Sequence, residues 1–213
     1  MPLSRRGRRR GERAERRGTP ADLLVVGLGN PGPEYEGTRH NVGAEAVGLL
    51  AERHGGRLRK SKELALVDVV RIDGRQVALG FPQTFMNESG QSVQKLVRRF
   101  GIADLTRLVV IHDELDLPPG RIKVKVGGGL AGHNGLRSIT SHLHSADFLR
   151  VRIGVGKPPS KEHGADHVLR VPPGRDRDLL EQGIVEAADA VEVILAGGVS
   201  RAMEQFNADR TPG

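Results

Sequence analysis

The sequence predicts a single α/β domain of three layers, in which helices flank a mixed, mostly parallel central sheet. Short apolar stretches typical of buried strands alternate along the chain with segments whose apolar residues recur at helical spacing. One pair of strand-like segments flanks Asp73-Gly74, which inserts an antiparallel hairpin into this alternation. Neither an internal repeat nor a second group of elements is visible, so we expect one domain over residues 21–213.

The first half of the chain predicts a strand, a helix, a hairpin and a second helix. Residues 23–28 (LLVVGL) form a continuous apolar run, and residues 41–54 have the apolar spacing of an amphipathic helix. The hairpin strands are LALVDVVRI and RQVALGF. The second predicted helix covers about residues 88–100, and Gly101 follows it as a C-terminal cap.

The second half continues the alternation. RLVVIHDELD predicts a buried strand that runs into carboxylates, and Pro118-Pro119-Gly120 turns the chain into a further strand, RIKVKV. A glycine-rich loop leads to a short helix over about residues 134–143 and to the strand FLRVRIGV. Residues 157–174 are predicted to be a long irregular connection, and the chain ends in a long helix followed by a shorter one to about residue 207.

The positive charge is concentrated at the N-terminus. The formal net charge is +7, and residues 1–20 hold eight Arg and two Glu, a net of +6. The other 193 residues therefore carry 7 − 6 = +1. Residues 1–20 contain almost no apolar side chain, so we expect a disordered, solvated tail, with a polyanion-binding arm as the alternative. The segment lacks the apolar core of a signal peptide.

Several chemistries are excluded by composition. The chain has no cysteine, which rules out disulfides, a thiol nucleophile and cysteine-ligated zinc, and favours a reducing compartment. There is no apolar run long enough for a transmembrane helix. His163 and His167 have a spacing known from metal sites, but no third ligand stands in register with them. We expect no metal and no membrane association.

The glycine-rich stretch VVGLGNPGPEYEGTRHN, residues 25–41, raises the possibility of a nucleotide-binding loop. Gly27 to Gly32 fits the pattern G-x-G-x-x-G. In a dinucleotide site, however, the helix opens at the glycines, because the pyrophosphate lies on its N-terminus. Here helical spacing begins only near Asn41, so the pattern does not predict a nucleotide cofactor. A second match over residues 127–132 fails for the same reason.

Five polar residues fall at the ends of predicted elements, where sites in α/β proteins are usually built. They are Asn30, His40, Asn87, Asp113 and Asn134. Each also has a structural alternative. The two later asparagines suit helix N-caps, the first suits an Asx-turn, the histidine a capping or core position, and the aspartate a surface carboxylate. The residues taken singly leave both interpretations open.

Five longer motifs together resemble a known family. GLGNPGPEYEGTRHNVG, FPQTFMNESG, HDELDLPPG, KVGGGLAGHNGLRS and RVRIGVGKP are similar, in order and spacing, to bacterial-type peptidyl-tRNA hydrolases. The resemblance covers about residues 22–207. One departure is Leu130-Ala131, where the family usually has His-Gly.

The resemblance implies an enzyme that hydrolyses the ester between a peptide and the 3′-terminal ribose of tRNA, and so recycles tRNA from peptidyl-tRNA released during translation. It implies a cytoplasmic monomer that uses neither metal nor organic cofactor and binds the peptide and the acceptor end of tRNA. A non-catalytic RNA-binding relative on the same fold is the alternative.

The resemblance also assigns roles to residues. His40 is expected to be the general base, Asp113 to orient it, and Asn30 to distinguish blocked from free aminoacyl esters. The remaining site residues are expected to bind the peptide and the terminal nucleotides or to line the site; they are Tyr35, Phe85, Met86, Asn87 and Asn134.

Cationic side chains near the sheet edge are candidates for tRNA phosphate contacts. In RIKVKV, Lys123 and Lys125 alternate onto one face of the strand, while Ile122, Val124 and Val126 face the other. Arg152 in RVRIGV is expected to join the lysines. The alternative is that these are ordinary charges facing solvent.

Overall fold

The computed structural model describes residues 20–158, 160 and 163–208. Within them lies one mixed seven-stranded sheet with the strand order β2-β3-β4-β1-β5-β7-β6. The strands are β1 (Leu23–Gly27), β2 (Arg59–Ser61), β3 (Ala65–Ile72), β4 (Arg75–Pro82), β5 (Leu108–Glu114), β6 (Ile122–Val126) and β7 (Leu149–Gly154). The predicted tail lies outside the described residues, apart from Pro20, so its disorder stays a prediction.

Helices cover both faces of the sheet and confirm the predicted three-layer α/β class. They are α1 (Val42–Arg53), α2 (Ser89–Arg99), α3 (Asn134–Leu143), α4 (Gly164–Val168) and α5 (Gly174–Asn207). Helices α1 and α5 pack on one face, and α2 and α3 pack on the other, each over an aliphatic core. None of the helices in the described part of the chain has the length and apolar character needed to cross a membrane.

The four central strands of the sheet are parallel. Strand β1 pairs in parallel with β4 and β5, and β5 pairs in parallel with β7. The antiparallel pairs lie toward the two edges, where β2 and β3 follow β4 on one side and β6 follows β7 on the other. The carboxyl ends of the central strands therefore meet at one edge of the sheet, the usual place for a site in this class.

The predicted hairpin is confirmed, with Ile72 opposite Arg75 across a two-residue turn. Asp73 and Gly74 both have positive φ, at 49° and 77°, as a type I′ turn requires. The short edge strand β2 was not predicted, because its sequence, Arg-Lys-Ser, carries no apolar signal. Helix α4 lies inside the connection that we expected to be irregular.

The C-terminal helix and strand β6 each differ from the prediction in one detail. Helix α5 begins at Gly174 and bends at Gly198, whose φ of 83° is not helical. The predicted long and short helices are therefore the two segments on either side of this kink. Val126, expected on the buried face of β6, is 44% exposed at the end of the strand.

Two glycines allow α1 to lie directly against the sheet. A Cβ at Gly27 would stand 2.0 Å from the carbonyl oxygen of Gly43, and a Cβ at Gly43 would stand 2.3 Å from that of Ile111. Neither backbone oxygen can move away cheaply, so a side chain at either position would push the helix outward. This close packing brings the turn before α1, which carries His40, to the end of β5.

Candidate active site

A cavity of about 490 Å³ opens at the carboxyl edge of the central strands. Seven of the predicted site residues line it: Asn30, His40, Phe85, Met86, Asn87, Asp113 and Asn134. Helix α4 and the residue after it form an apolar part of the wall through Ala165, Val168 and Leu169. The five polar residues that the sequence places at separate element ends therefore converge on one space.

His40 and Asp113 form a hydrogen-bonded pair in this cavity. His40 lies in the 3₁₀ turn Arg39–Asn41 just before α1, and Asp113 is the penultimate residue of β5. The His40 Nδ1–H donates to Asp113 Oδ1 at 2.9 Å. This arrangement leaves Nε2 of the imidazole with its lone pair, which is the tautomer that a general base needs.

Burial and charge set the protonation of the pair. Burial alone lowers the pKa of His40, but the charge of Asp113 and the hydrogen bond to it outweigh burial and raise the pKa above its ordinary value of 6.5. Burial raises the pKa of Asp113, but the neighbouring His40 and His133 hold it well below its ordinary value of 3.8. Asp113 therefore remains a carboxylate, and His40 keeps its proton up to a higher pH than an ordinary histidine does.

His133, which the sequence interpretation did not assign, is a second partner of Asp113. Its Nε2 lies 2.9 Å from the same Oδ1 that His40 contacts. Its Nδ1 accepts hydrogen bonds from the backbone N–H groups of Gly135, at 3.1 Å, and Leu136, at 3.3 Å. Because Nδ1 is an acceptor, the ring hydrogen lies on Nε2 and is donated to Asp113. The carboxylate thus receives two imidazole N–H groups on one oxygen.

The same contacts identify His133 as the N-cap of α3. The sequence left the N-cap position open as a structural alternative for Asn134, because asparagine is a common cap. Asn134 is instead the first residue of the helix, exposed at the cavity. The residue order alone gives no signal for this role, because the helix start and the capping contact of His133 are set by the fold.

Asn30 is fixed by three hydrogen bonds. Its Oδ1 accepts from the backbone N–H of Met86 at 2.8 Å, so its side chain does not form the alternative Asx-turn. Asn41, a second residue that the sequence interpretation missed, accepts from the Asn30 N–H and donates to the Asn30 carbonyl, both at 2.9 Å. Among the residues that the structure describes, the Asn30 amide N–H₂ has no hydrogen-bond partner, and Asn30 lines the cavity.

Asn87 and Phe85, two positions before it in the chain, also line the cavity. Asn87 is in the 3₁₀ turn Met86–Glu88, and the N-cap position of α2 is taken by Glu88. The capping alternative for Asn87 is therefore wrong, and its exposed amide lines the cavity. Phe85 is 55% exposed and offers an aromatic surface beside it.

His40, Asp113 and His133 bring three possible metal-ligand atoms within 4.8 Å of one another. The hydrogen-bond pattern does not fit a metal, because His133 Nδ1 is committed to the helix and its Nε2 bears the hydrogen. The two histidines with metal-site spacing, His163 and His167, make other contacts. His163 contacts Ser160, and His167 Nε2 lies within hydrogen-bond distance of two backbone carbonyl oxygens.

The predicted cations share one face of the sheet edge, where Lys123 lies opposite Arg152 and Lys125 opposite Arg150. Arg152 donates from Nε and Nη2 to one carboxylate oxygen of Glu114, at 2.9 and 2.7 Å. The two lysines have no ion pair within the described residues, and are the freer candidates for phosphate contacts.

Arg150 and Tyr35 have structural contacts beside the cavity. Arg150 is buried and donates to the carbonyls of Gly128 and Gly129, which holds the glycine-rich loop against the sheet. In that loop Ala131 has a φ of 48°, a conformation in which the glycine usual in the family would be less strained. Tyr35 is half-buried and is not among the residues that line the cavity, so its expected role stays a prediction.

Comparison with known proteins decides the family. The profile of the peptidyl-tRNA hydrolase family matches residues 24–212. The chain is 48% identical over 185 residues to a peptidyl-tRNA hydrolase of Rhodococcus erythropolis, covering 86% of this chain and 97% of the relative. The chain belongs to the peptidyl-tRNA hydrolase family.

A second relative and a solved structure agree with this membership. A peptidyl-tRNA hydrolase of Cutibacterium acnes is 46% identical over 195 residues, covering 86% of this chain and 97% of the relative. The crystal structure of peptidyl-tRNA hydrolase from Acinetobacter baumannii aligns with a TM-score of 0.84 at 42% identity, over 91% of this chain and 98% of that one. The chain is therefore an enzyme that hydrolyses peptidyl-tRNA, as the resemblance implied.

Proposed function

We propose that this chain cleaves the peptidyl-tRNA ester by direct attack of a water molecule that His40 activates. The observation that carries the proposal is the orientation of His40, whose Nδ1–H is held by Asp113 while Nε2 is free in a cavity lined by three asparagines. Water gives its proton to Nε2 as its oxygen bonds to the ester carbonyl carbon. When the tetrahedral intermediate collapses, the imidazolium returns the proton to the departing ribose oxygen. The products are a peptide carboxylic acid, which releases its proton to solvent and becomes a carboxylate, and tRNA with a free 3′-terminal hydroxyl group.

Asp113 supports both proton transfers. As a carboxylate it keeps the hydrogen of His40 on Nδ1 and stabilises the imidazolium that forms. A protein nucleophile is not required, because an ester has a sufficiently good leaving group for water. The chain contains no cysteine that would serve as one.

The asparagine amides supply neutral hydrogen-bond donors to the substrate. Negative charge develops on the carbonyl oxygen during attack, and donors fixed in place stabilise it most effectively. Asn30 is held rigidly by Met86 and Asn41, which suits a residue that discriminates blocked from free amino groups. Asn87 and Asn134 are assigned to the peptide backbone and the terminal nucleotides.

Lys123 and Lys125 are assigned to the phosphate backbone of the acceptor arm. Arg152 is assigned a smaller part in phosphate binding, because its guanidinium is already paired with the carboxylate of Glu114. We further propose that the enzyme acts as a monomer in the cytoplasm, where translation produces peptidyl-tRNA, and that it returns tRNA to use.

The decisive experiment measures release of the acyl group from N-acetyl-aminoacyl-tRNA and from the unacetylated aminoacyl-tRNA. We expect rapid hydrolysis of the acetylated ester and slow hydrolysis of the free one. A protein that binds both RNAs and hydrolyses neither is the non-catalytic relative, and the proposal would be wrong. The His40→Ala variant serves as the matched inactive control.

A further inference from the structure

A second concave surface lies at the other edge of the sheet, between β2 and α2. We call it the β2–α2 groove. Six cationic side chains line it, three from β2 and the residues just after it and three from α2: Arg59, Lys60, Lys62, Lys95, Arg98 and Arg99. Its volume is about 1430 Å³, and apolar side chains such as Val97 contribute to its wall.

Only one of these cations is neutralised by the acid that lines the groove. Glu63 is buried, and its Oε2 accepts from Arg99 Nη1 at 2.7 Å. Ser61 Oγ accepts from the same nitrogen at 3.0 Å, which holds Arg99 against the wall. The other five cations have no ion pair within the part of the chain that the structure describes. The groove therefore presents about five uncompensated positive charges.

Elsewhere on the surface, several cations are paired with acids, whereas the groove gathers its unpaired cations in one place. Arg53 pairs with Asp189, Arg177 with Glu45, and Lys157 with Asp116. Clustering like charges without acids raises the self-repulsion of the folded state. Beyond residues 1–20 the chain carries a net charge of only +1. The excess of positive charge in the groove is therefore not explained by a high net charge of the folded domain.

The groove is separate from the acceptor-arm cations. Strands β2 and β6 are the opposite edges of the sheet, six strand spacings apart. At about 4.8 Å per spacing, roughly 29 Å separates them. A phosphate bound at Lys123 or Lys125 is therefore not in contact with the groove.

We propose that the β2–α2 groove binds the phosphodiester backbone of an RNA segment that lies outside the catalytic cavity. A concave surface with several cations matches the repeated charge of a nucleic acid strand. An anionic lipid surface is a poorer fit, because membrane-binding surfaces expose large apolar side chains. In this groove Val67 and Ile102 are buried and Val97 is half-buried. Peptidyl-tRNA, as the substrate of this family, supplies such an RNA.

The test reverses three groove charges in a protein whose acceptor-arm cations have been removed. In a Lys123→Ala/Lys125→Ala background, the groove variant carries Lys60→Glu, Lys62→Glu and Arg98→Glu. All three residues are exposed and have no ion pair among the described residues, so the fold is expected to persist. The control variant has the same change in formal charge at exposed arginines away from the groove: Arg75→Glu, Arg175→Glu and Arg201→Glu.

Binding is measured with a blunt RNA hairpin, which has no single-stranded 3′ end to enter the cavity, across a salt series. We expect the groove variant to bind at least tenfold more weakly near 0.1 M salt. The slope of log affinity against log salt should fall by about 2–3, since each lost duplex phosphate contact removes about 0.9. The control should change affinity less than threefold.

Equal weakening in the two variants would show that only total charge matters and would overturn the proposal, as would unchanged binding in the groove variant. Loss of binding to phosphatidylserine vesicles without loss of RNA binding would assign the groove to a membrane instead. Turnover of a peptide esterified to a short 3′ fragment should be equal in both variants and their background. This separates a failure of the groove from a failure of the catalytic proposal.

Discussion

Replacing His133 should shift the pH dependence of catalysis, because His133 and His40 donate to the same oxygen of Asp113. The informative pair of variants is His133→Asn and His133→Ala. Asparagine is a good helix N-cap, so the first variant keeps the start of α3. Its shorter side chain does not reach Asp113 from the capping position. The second variant loses both the cap and the contact.

The expected magnitude follows from the hydrogen bond that is lost. A hydrogen bond to a charged group is worth about 1.5–3 kcal/mol, which corresponds to roughly 1–2 pH units. Without His133, the carboxylate interacts more strongly with its remaining donor and stabilises the His40 imidazolium further. If the interaction between Asp113 and His40 gains about half of the free energy of the lost hydrogen bond, the pKa of His40 rises by roughly 0.5–1 unit above its already raised value.

The assay is kcat/KM for N-acetyl-aminoacyl-tRNA between pH 5 and 9, together with urea unfolding at pH 7. Both variants should move the acidic limb of the profile to higher pH by a similar amount. His133→Ala should in addition be less stable than His133→Asn by about 1 kcal/mol, the usual value of an N-cap. An acidic limb that stays in place in both variants, with stability alone reduced, would show that His133 only caps α3.

Three further predictions concern substrate binding, acid stability and packing. Lys123→Ala with Lys125→Ala should weaken tRNA binding and lower its salt dependence while sparing a short 3′-fragment ester; equal damage to both substrates would contradict the assignment. Burial lowers the pKa of His112 to about 3, so the unfolded state takes up its proton first as pH falls below 6.5. The free energy of unfolding should therefore drop by up to about 1.4 kcal/mol per pH unit from this residue alone. In His112→Phe the free energy of unfolding by urea should depend less on pH between pH 6.5 and 4. A dependence as steep as that of the unmodified protein would refute this. Gly43→Ala should lower the free energy of unfolding by about 2 kcal/mol or more, because its Cβ meets the Ile111 carbonyl. Gly48→Ala in the same helix has open space around it and should leave stability unchanged or increase it. Equal effects of the two substitutions on urea unfolding would contradict the packing argument.

Much of the fold could be predicted because its signals are local. Apolar runs mark the central strands, and Asp73-Gly74 specifies its turn through the φ angles that it allows. The edge strand β2 escaped because a polar three-residue strand is defined only by pairing with β3. Helix α4 escaped because its residues pack over the cavity rather than on an apolar core of their own.

The site was predictable in its residues but not in its connections. Asn30, His40 and Asp113 were found by position and resemblance, but their convergence depends on close packing between α1 and the sheet. His133 was overlooked because its capping and its contact with Asp113 are visible only in three dimensions. Similarly, nothing local reveals that Asn41 fixes the backbone of Asn30, which is eleven residues away.

The central claim is that His40 Nε2 is the general base, and its most direct test is the pH profile of kcat/KM for N-acetyl-aminoacyl-tRNA in the unmodified protein and in His40→Ala. Because Asp113 raises the pKa of His40, activity should fall as pH drops through a value above 6.5. His40→Ala should lose about 10² or more of the rate near neutral pH and lose that acidic limb, with unfolding by urea little changed. A variant that keeps near-normal turnover, or that keeps the same acidic limb at reduced rate, would contradict the assignment of His40 as the base.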